Sequence, residues 1–321
     1  MLPPSSYAAD LASIRAAAER LRGHVHRTPI VTSRTLDRLV GRPVLLKCEN
    51  LQRGGSFKLR GALNAVASLP DHVAARGVVT HSSGNFAQGL AIAAAARGVP
   101  AHVVMPSNAP LVKQEAVRGY GGTVTLCEPV LSARWAAAEA IRARIDGTVV
   151  HPHDQAEVIA GNGTVALEIL DDRPDVTAIV GPIGGGGLIS GIALAARELR
   201  PDVPVYGAEP AGADDAYRSR RSGVRTKNER LDTVADGLLP DLGDLTWPVV
   251  RDVVADVLRV EDVATIEALR LLIERVKLVV EPSGAVSLAG LLGGIPGDGP
   301  VAVVLSGGNV DPARLGALLS A

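Results

Sequence analysis

Aromatic residues are scarce in this chain, at 2% of 321 residues. A surface that stacks the bases of single-stranded nucleic acid needs more of them. The formal net charge is -1, and no basic stripe is visible, so no nucleic-acid partner is expected. The two cysteines, Cys48 and Cys127, have neither C-x-x-C nor paired spacing, which leaves no basis for a disulfide framework or a thiolate zinc site. Met1 to Asp10 shows no cationic-then-apolar leader, and no apolar run reaches the roughly 18 residues needed to cross a bilayer. No membrane partner is expected, and the cytoplasm is the expected location.

What the chain does have is many short apolar runs, which bring the hydrophobic content to 47%. The length suits about two domains of ordinary size. Strand-like and helix-like runs alternate throughout, which predicts an α/β fold of largely parallel sheets with helices on both faces. An amphipathic helix from Tyr7 to Leu21 precedes a strand from Val44 to Cys48. Strands near Val78, His102, Val124 and Val149 predict a small substrate-side domain over residues 76–155, with residues 1–75 and 156–321 forming a larger one. Arg218 to Arg230, charged and glycine-containing, reads as a mobile surface loop. Only a short terminal helix follows Asn309, so no C-terminal regulatory module is expected.

One of only five lysines, Lys58, follows a glycine-lined turn in Gly54-Gly55-Ser56-Phe57-Lys58. A lysine forms a Schiff base with an aldehyde cofactor only if it is held close and can lose its proton, which desolvation favours. By itself a lysine in such a loop is usually a solvated surface residue, so its companions matter. The run Gly184-Gly185-Gly186-Gly187 lies between an apolar strand, Val176 to Val180, and a helix-like run, Leu188 to Leu199. Bare backbone N–H groups at a helix N-terminus favour a phosphate, and no P-loop or dinucleotide fingerprint accompanies them. Two more strand-to-helix loops, His81-Ser82-Ser83-Gly84-Asn85 and Ser306-Gly307-Gly308-Asn309, would open on the same crevice beyond the carboxyl ends of the strands. The first is either a carboxylate site or simple N-capping.

From about His26-Arg27-Thr28-Pro29 to Ser306-Gly307-Gly308-Asn309, the chain resembles the serine/threonine dehydratase and serine racemase family of fold-type II pyridoxal-phosphate enzymes. The resemblance implies a tryptophan synthase β-like fold, in which Lys58 forms the Schiff base with pyridoxal 5'-phosphate and Phe57 packs on its ring. Asn85 would bond the ring hydroxyl, Gly184, Gly185, Gly186 and Gly187 the phosphate, and Ser306 the pyridine nitrogen. Ser82, Ser83, Gly84 and Asn85 would hold the substrate carboxylate. A neutral serine at the ring nitrogen makes a weaker electron sink than a carboxylate partner would, which favours prompt loss of a β-leaving group over transamination. Lys58 would be the base for the α-proton. Ser83 stands where racemases of the family carry the hydroxyl that returns a proton on the opposite face.

The resemblance also implies a divalent-cation loop, with Glu209, the Ala213 carbonyl and Asp215 as hard oxygen ligands for Mg²⁺, Mn²⁺ or Ca²⁺. His153 would meet a polar β-substituent, and Arg134, in a loop from Glu128 to Trp135, would orient a second carboxylate. Glu281 resembles a residue near the cofactor, with helix capping as its plain alternative. Phe86 replaces a common histidine. Relatives are commonly dimers, so a homodimer acting on a small amino acid is expected. The favoured activity at this level is dehydration of L-serine or L-threonine to a 2-oxo acid and ammonia. The rivals are a serine racemase with side elimination, a dehydratase of 3-hydroxyaspartate or phenylserine, and a silent protein that binds the cofactor or an amino acid.

Overall fold

The computed structural model describes residues 7–320, so the reading of Met1 to Asp10 falls partly outside the described residues. Ten strands form two sheets: β1 (Ile30–Thr32), β2 (Val44–Cys48), β3 (Val78–Thr80), β4 (Ala101–Pro106), β5 (Thr123–Cys127), β6 (Thr148–Val149), β7 (Ala178–Pro182), β8 (Val205–Pro210), β9 (Asp256–Val260) and β10 (Val301–Leu305). One sheet has the order β1-β2-β10-β7-β8-β9 and the other β5-β4-β3-β6. Every pairing is parallel except the edge pair of β1 with β2.

Parallel strands covered on both faces must be apolar on both, and the two-residue period assigns successive side chains to opposite faces. In β10, Ala302 and Val304 enter one hydrophobic cluster, while Val301, Val303 and Leu305 enter the other. Leu45 of β2 and Ile179 of β7 share the first face, with Leu46 and Val180 on the second. The smaller sheet repeats the pattern, with Val103 and Met105 of β4 opposite Val104.

Helix Lys58–Ala67 packs on helix Asn85–Arg97 through Leu59, Leu63, Phe86 and Leu90. Its other flank meets helix Ala156–Asp172 so closely that a Cβ at Gly161 would collide with the Arg60 carbonyl. Inside this junction Arg60 is fully buried. Its guanidinium donates to both oxygens of Glu49 at 2.8 Å and to those of Glu168 at 2.7 and 2.8 Å. The buried Lys47 ammonium donates to Glu168 at 2.6 Å and to the Thr28 carbonyl at 2.7 Å. Burial alone would raise the Glu49 carboxyl, but attraction to Arg60 outweighs it and holds this acid below its ordinary value.

Two expectations need correction. The first helix spans Leu11–Leu21 and does not start at Tyr7, because the Asp10 carboxylate caps it by accepting the Ser13 N–H. Arg218 to Arg230 is not a free loop: its beginning belongs to helix Asp215–Ser222, and Asn228 ties the rest down through Asp215 and Asp241. No described helix is long and apolar enough to cross a membrane.

The Arg60 cluster yields a stability prediction. Arg60→Met strands Glu49 without its partner and should cost about 3–5 kcal/mol in urea unfolding; a loss under about 1 kcal/mol would show that this cluster tolerates a missing member as an exposed ion pair does.

Candidate active site

The loops that carry the candidate residues all leave the carboxyl ends of parallel strands, and backbone contacts draw them together. Ser56 bridges Gly307, the Phe57 N–H donates to the Ser306 carbonyl at 3.0 Å, and the Gly308 N–H donates to the Gly55 carbonyl at 2.9 Å. The segment after β10 therefore fixes the turn before Lys58. Ser306 itself is buried directly after that strand.

Lys58 is the first residue of helix Lys58–Ala67. Its Nζ donates to the Pro152 carbonyl at 3.1 Å and lies 5.0 Å from the Phe57 ring centre. Desolvation pulls the ammonium down to about 8, against the opposing pull of Glu281. A share of neutral amine is thus available near physiological pH, as condensation with an aldehyde requires.

Asn85 opens helix Asn85–Arg97, and its amide is held from two sides. Nδ2 donates to Glu281 at 2.7 Å, and Oδ1 accepts from Asn309 at 2.9 Å. Asn309 also donates to the Gly54 carbonyl at 2.8 Å, so one side chain spans the Asn85 and Lys58 loops. Burial pushes the Glu281 carboxyl up to about 7, with Asp236 adding to the rise. Glu281 stands at the N-cap of helix Pro282–Leu292 without a side-chain capping bond, so its carboxylate serves Asn85 rather than the helix. Ser82, Ser83 and Gly84 line the half-buried loop just before Asn85.

Gly186 adopts the left-handed region at φ 84 as it leads into helix Gly187–Leu199, a conformation glycine takes without strain. The glycine run is walled closely: a Cβ would strike Leu238 from Gly184, His153 from Gly185 and Gly187, and Thr246 from Gly186. The first N–H groups of a helix have no acceptor within it, and a phosphate suits them. This glycine cradle, the desolvated Lys58 amine, the anchored Asn85 and the buried Ser306 fit a cofactor that carries an aldehyde, a ring hydroxyl and a phosphate.

On the small-sheet side, His153, His151, His81 and Trp135 form a chain of rings. Centre separations are 4.5 Å for His153–His151, 5.9 Å for His151–His81 and 3.9 Å for His81–Trp135. His151 Nδ1 accepts from the His153 and Asp154 N–H groups, which puts the proton of the neutral ring on Nε2. Burial lowers all three imidazoles, His81 to about 4 and His153 well below its ordinary range, so the chain is uncharged at neutral pH. Arg134 does not lie in a loop as expected: it belongs to helix Leu131–Ile145, and its buried Nε has no partner among the described residues. The helix begins at Leu131, inside the loop expected from Glu128 to Trp135, because Leu131 to Ile145 is rich in alanine and lacks a breaker. His153 packs against the glycine cradle. Phe86 turns into the core beside Leu59 and Leu90.

Glu209, at the end of β8, and Asp215, at the start of helix Asp215–Ser222, are both buried. The Glu209 oxygens accept the Ala216 and Tyr217 N–H groups at 2.9 and 2.8 Å; Asp215 accepts from Asn228 and Leu242 at 2.9 and 2.8 Å. Burial raises both acids, and their mutual repulsion adds to the rise at Glu209. They are the two carboxylates of the divalent-cation set expected from the sequence together with the Ala213 carbonyl, and hard oxygen donors are what such a cation takes. No cluster of three or more His, Cys, Asp or Glu side chains poised for a metal occurs among the described residues.

The depressed amine is testable. In the cofactor-free protein, Schiff-base formation with added pyridoxal phosphate, followed by its visible absorbance, should speed up as pH rises through about 8 and then level off. Lys58→Ala should abolish the band. A midpoint near that of a free lysine would mean that the pocket does not desolvate the amine.

Comparison with known proteins agrees with this geometry. Serine racemase from Arabidopsis thaliana is 47% identical over 316 residues, covering 96% of both chains. The beta-hydroxyaspartate dehydratase of Paracoccus denitrificans is 46% identical over 302 residues, covering 94% of this chain and 96% of that one. The solved structure of maize serine racemase superposes with a TM-score of 0.95 at 43% identity, covering 98% of each chain. The family model for pyridoxal-phosphate dependent enzymes matches residues 21–307, and the chain belongs to that family.

Proposed function

We propose that this protein is a serine racemase that also eliminates water from β-hydroxy amino acids. The observation that carries the reading is Ser83, a hydroxyl two residues before the anchored Asn85, in the loop that leads into the helix whose Phe86 ring centre lies 5.9 Å from Lys58 Nζ. The similarity to two serine racemases across nearly the whole chain supports it and moves the balance away from the dehydratase favoured on motifs alone. The beta-hydroxyaspartate dehydratase relative supports the elimination branch.

In this reading the carboxylate of L-serine is bound by the loop Ser82, Ser83, Gly84 and Asn85. The cofactor, when bound, supplies the conjugated ring that accepts the electron pair left at the α-carbon. Lys58, as a neutral amine, removes the α-proton from one side. A proton returned from the Ser83 hydroxyl on the other side inverts the centre. If the β-hydroxyl leaves first, departing as water with the proton that Lys58 removed, the enamine that remains is hydrolysed by water to a 2-oxo acid and ammonia. The imidazoles of His153, His151 and His81 stay unprotonated, so positive charge on the substrate side comes from the Arg134 guanidinium, which acts on His81 and favours a second carboxylate. Glu209, Asp215 and the Ala213 carbonyl would hold a divalent cation that relieves their repulsion.

Incubation with L-serine and pyridoxal phosphate should give both D-serine and pyruvate. Ser83→Ala should lower D-serine formation by about 100-fold or more, the scale of a lost general acid–base group, while pyruvate formation persists. Equal loss of both products, or racemisation untouched, would overturn the two-sided mechanism. Exhaustive chelation should lower the melting temperature and activity together; no change in either would remove the cation from the account.

A further inference from the structure

Asp154 lies outside the residues so far given a role, yet it makes an unusual set of contacts. Its carboxylate accepts three consecutive backbone N–H groups from the other side of the cleft: Asp244 at 2.9 Å, Leu245 at 2.8 Å and Thr246 at 3.3 Å. The approach is so close that any Cβ at Gly243 would collide with the Asp154 carboxylate. The held loop ends in Thr246, which is fully buried. Thr246 Oγ1 donates to the Gly185 carbonyl at 2.8 Å and accepts the Gly243 N–H at 2.9 Å. It also walls Gly186, the left-handed residue of the cradle.

The residues just before Asp154 touch the remaining parts of the site. The Pro152 carbonyl accepts from Lys58 Nζ at 3.1 Å, and the His153 ring lies against Gly185. The three residues 152–154 thus contact the amine, the cradle and the loop that braces the cradle. A carboxylate accepting several backbone N–H groups is a strong local clamp, and pre-organised donors bind an anion without reorganising at the moment of binding.

We propose that Asp154 is a positioning residue for the cofactor-phosphate cradle: by clamping the backbone of residues 244–246 it seats Thr246 against Gly185 and sets the cradle relative to Lys58. This rests on the reading that Gly184 to Gly187 hold the phosphate. The ligand class affected is a phosphorylated aldehyde, and the phosphate-free aldehyde should barely register the clamp.

The test compares pyridoxal phosphate with pyridoxal, each titrated into cofactor-free wild type, Asp154→Ala, Asp154→Asn and Thr246→Val, with binding read by Schiff-base absorbance. Wild type should prefer the phosphorylated form strongly. Asp154→Ala and Thr246→Val should each weaken pyridoxal phosphate by about tenfold, the scale of the hydrogen bonds that each variant removes, and leave pyridoxal unchanged. Asp154→Asn, which keeps one acceptor oxygen, should fall between. The double variant should lose less than the product of the single losses, because both act through one clamp. If wild type binds both aldehydes alike, the cradle reading itself fails. If wild type discriminates and Asp154→Ala does so equally well, or if Asp154→Ala weakens both aldehydes in parallel with a fall in melting temperature, the cradle stands and the positioning role is overturned.

Discussion

The buried ion cluster around Arg60 is the constraint on which the catalytic geometry depends. Two positive groups, Lys47 and Arg60, face two negative ones, Glu49 and Glu168, so the charge is balanced where solvent cannot balance it. Such a cluster is a weak source of net stability, because desolvating each ion costs several kcal/mol, about what the pairing returns. Its value lies in geometry. Arg60 stands two residues after Lys58 on the same helix and binds residues next to β2 and on helix Ala156–Asp172. Rotating or sliding the helix would break at least four charge-assisted hydrogen bonds at once. The lysine is therefore held by a lock that, two residues on, sits on nearly the opposite face of the same helix.

Around that fixed point the site is a meeting of loops, each leaving the carboxyl end of a parallel strand, as expected where ligands bind in open α/β sheets. Its electrostatics are economical. Desolvation lowers the amine and the imidazoles and raises Glu281, so burial moves every one of these groups toward its neutral form. In the proposed function, strong charge is left to Arg134 and to what would bind: a phosphate at the cradle, a substrate carboxylate at the Ser82–Asn85 loop, and a cation at Glu209 and Asp215.

Much of this was legible in the chain. The strand-turn-helix punctuation at Gly184 to Gly187, at Ser82 to Asn85 and at Ser306 to Asn309 is local, because glycines and small polar residues mark where a strand stops and a helix begins. Arg134 was misplaced into a loop because a helix N-terminus without a capping side chain gives little signal. Arg218 to Arg230 looked mobile because its restraints, Asn228 to Asp215 and to Asp241, join residues 13 apart in sequence. Glu281 and the Asn309 loop stand out in the chain, but what these two residues and Asp154 hold is not marked locally. Each is an ordinary polar residue until its partner, between 90 and 224 positions away, is known.

By itself, then, the sequence determined the α/β alternation, the buried apolar strands and the glycine turns from strand to helix, since these rest on periodicity and backbone freedom within a few residues, while the family resemblance singles out Lys58 and the glycine cradle as the site. Tertiary structure alone decided that Arg60 locks the Lys58 helix, that Asn309 and Glu281 hold Asn85, and how far each buried acid or base is shifted. Those properties come from desolvation and from hydrogen bonds between distant segments, which exist only once packing has excluded water and brought the partners together.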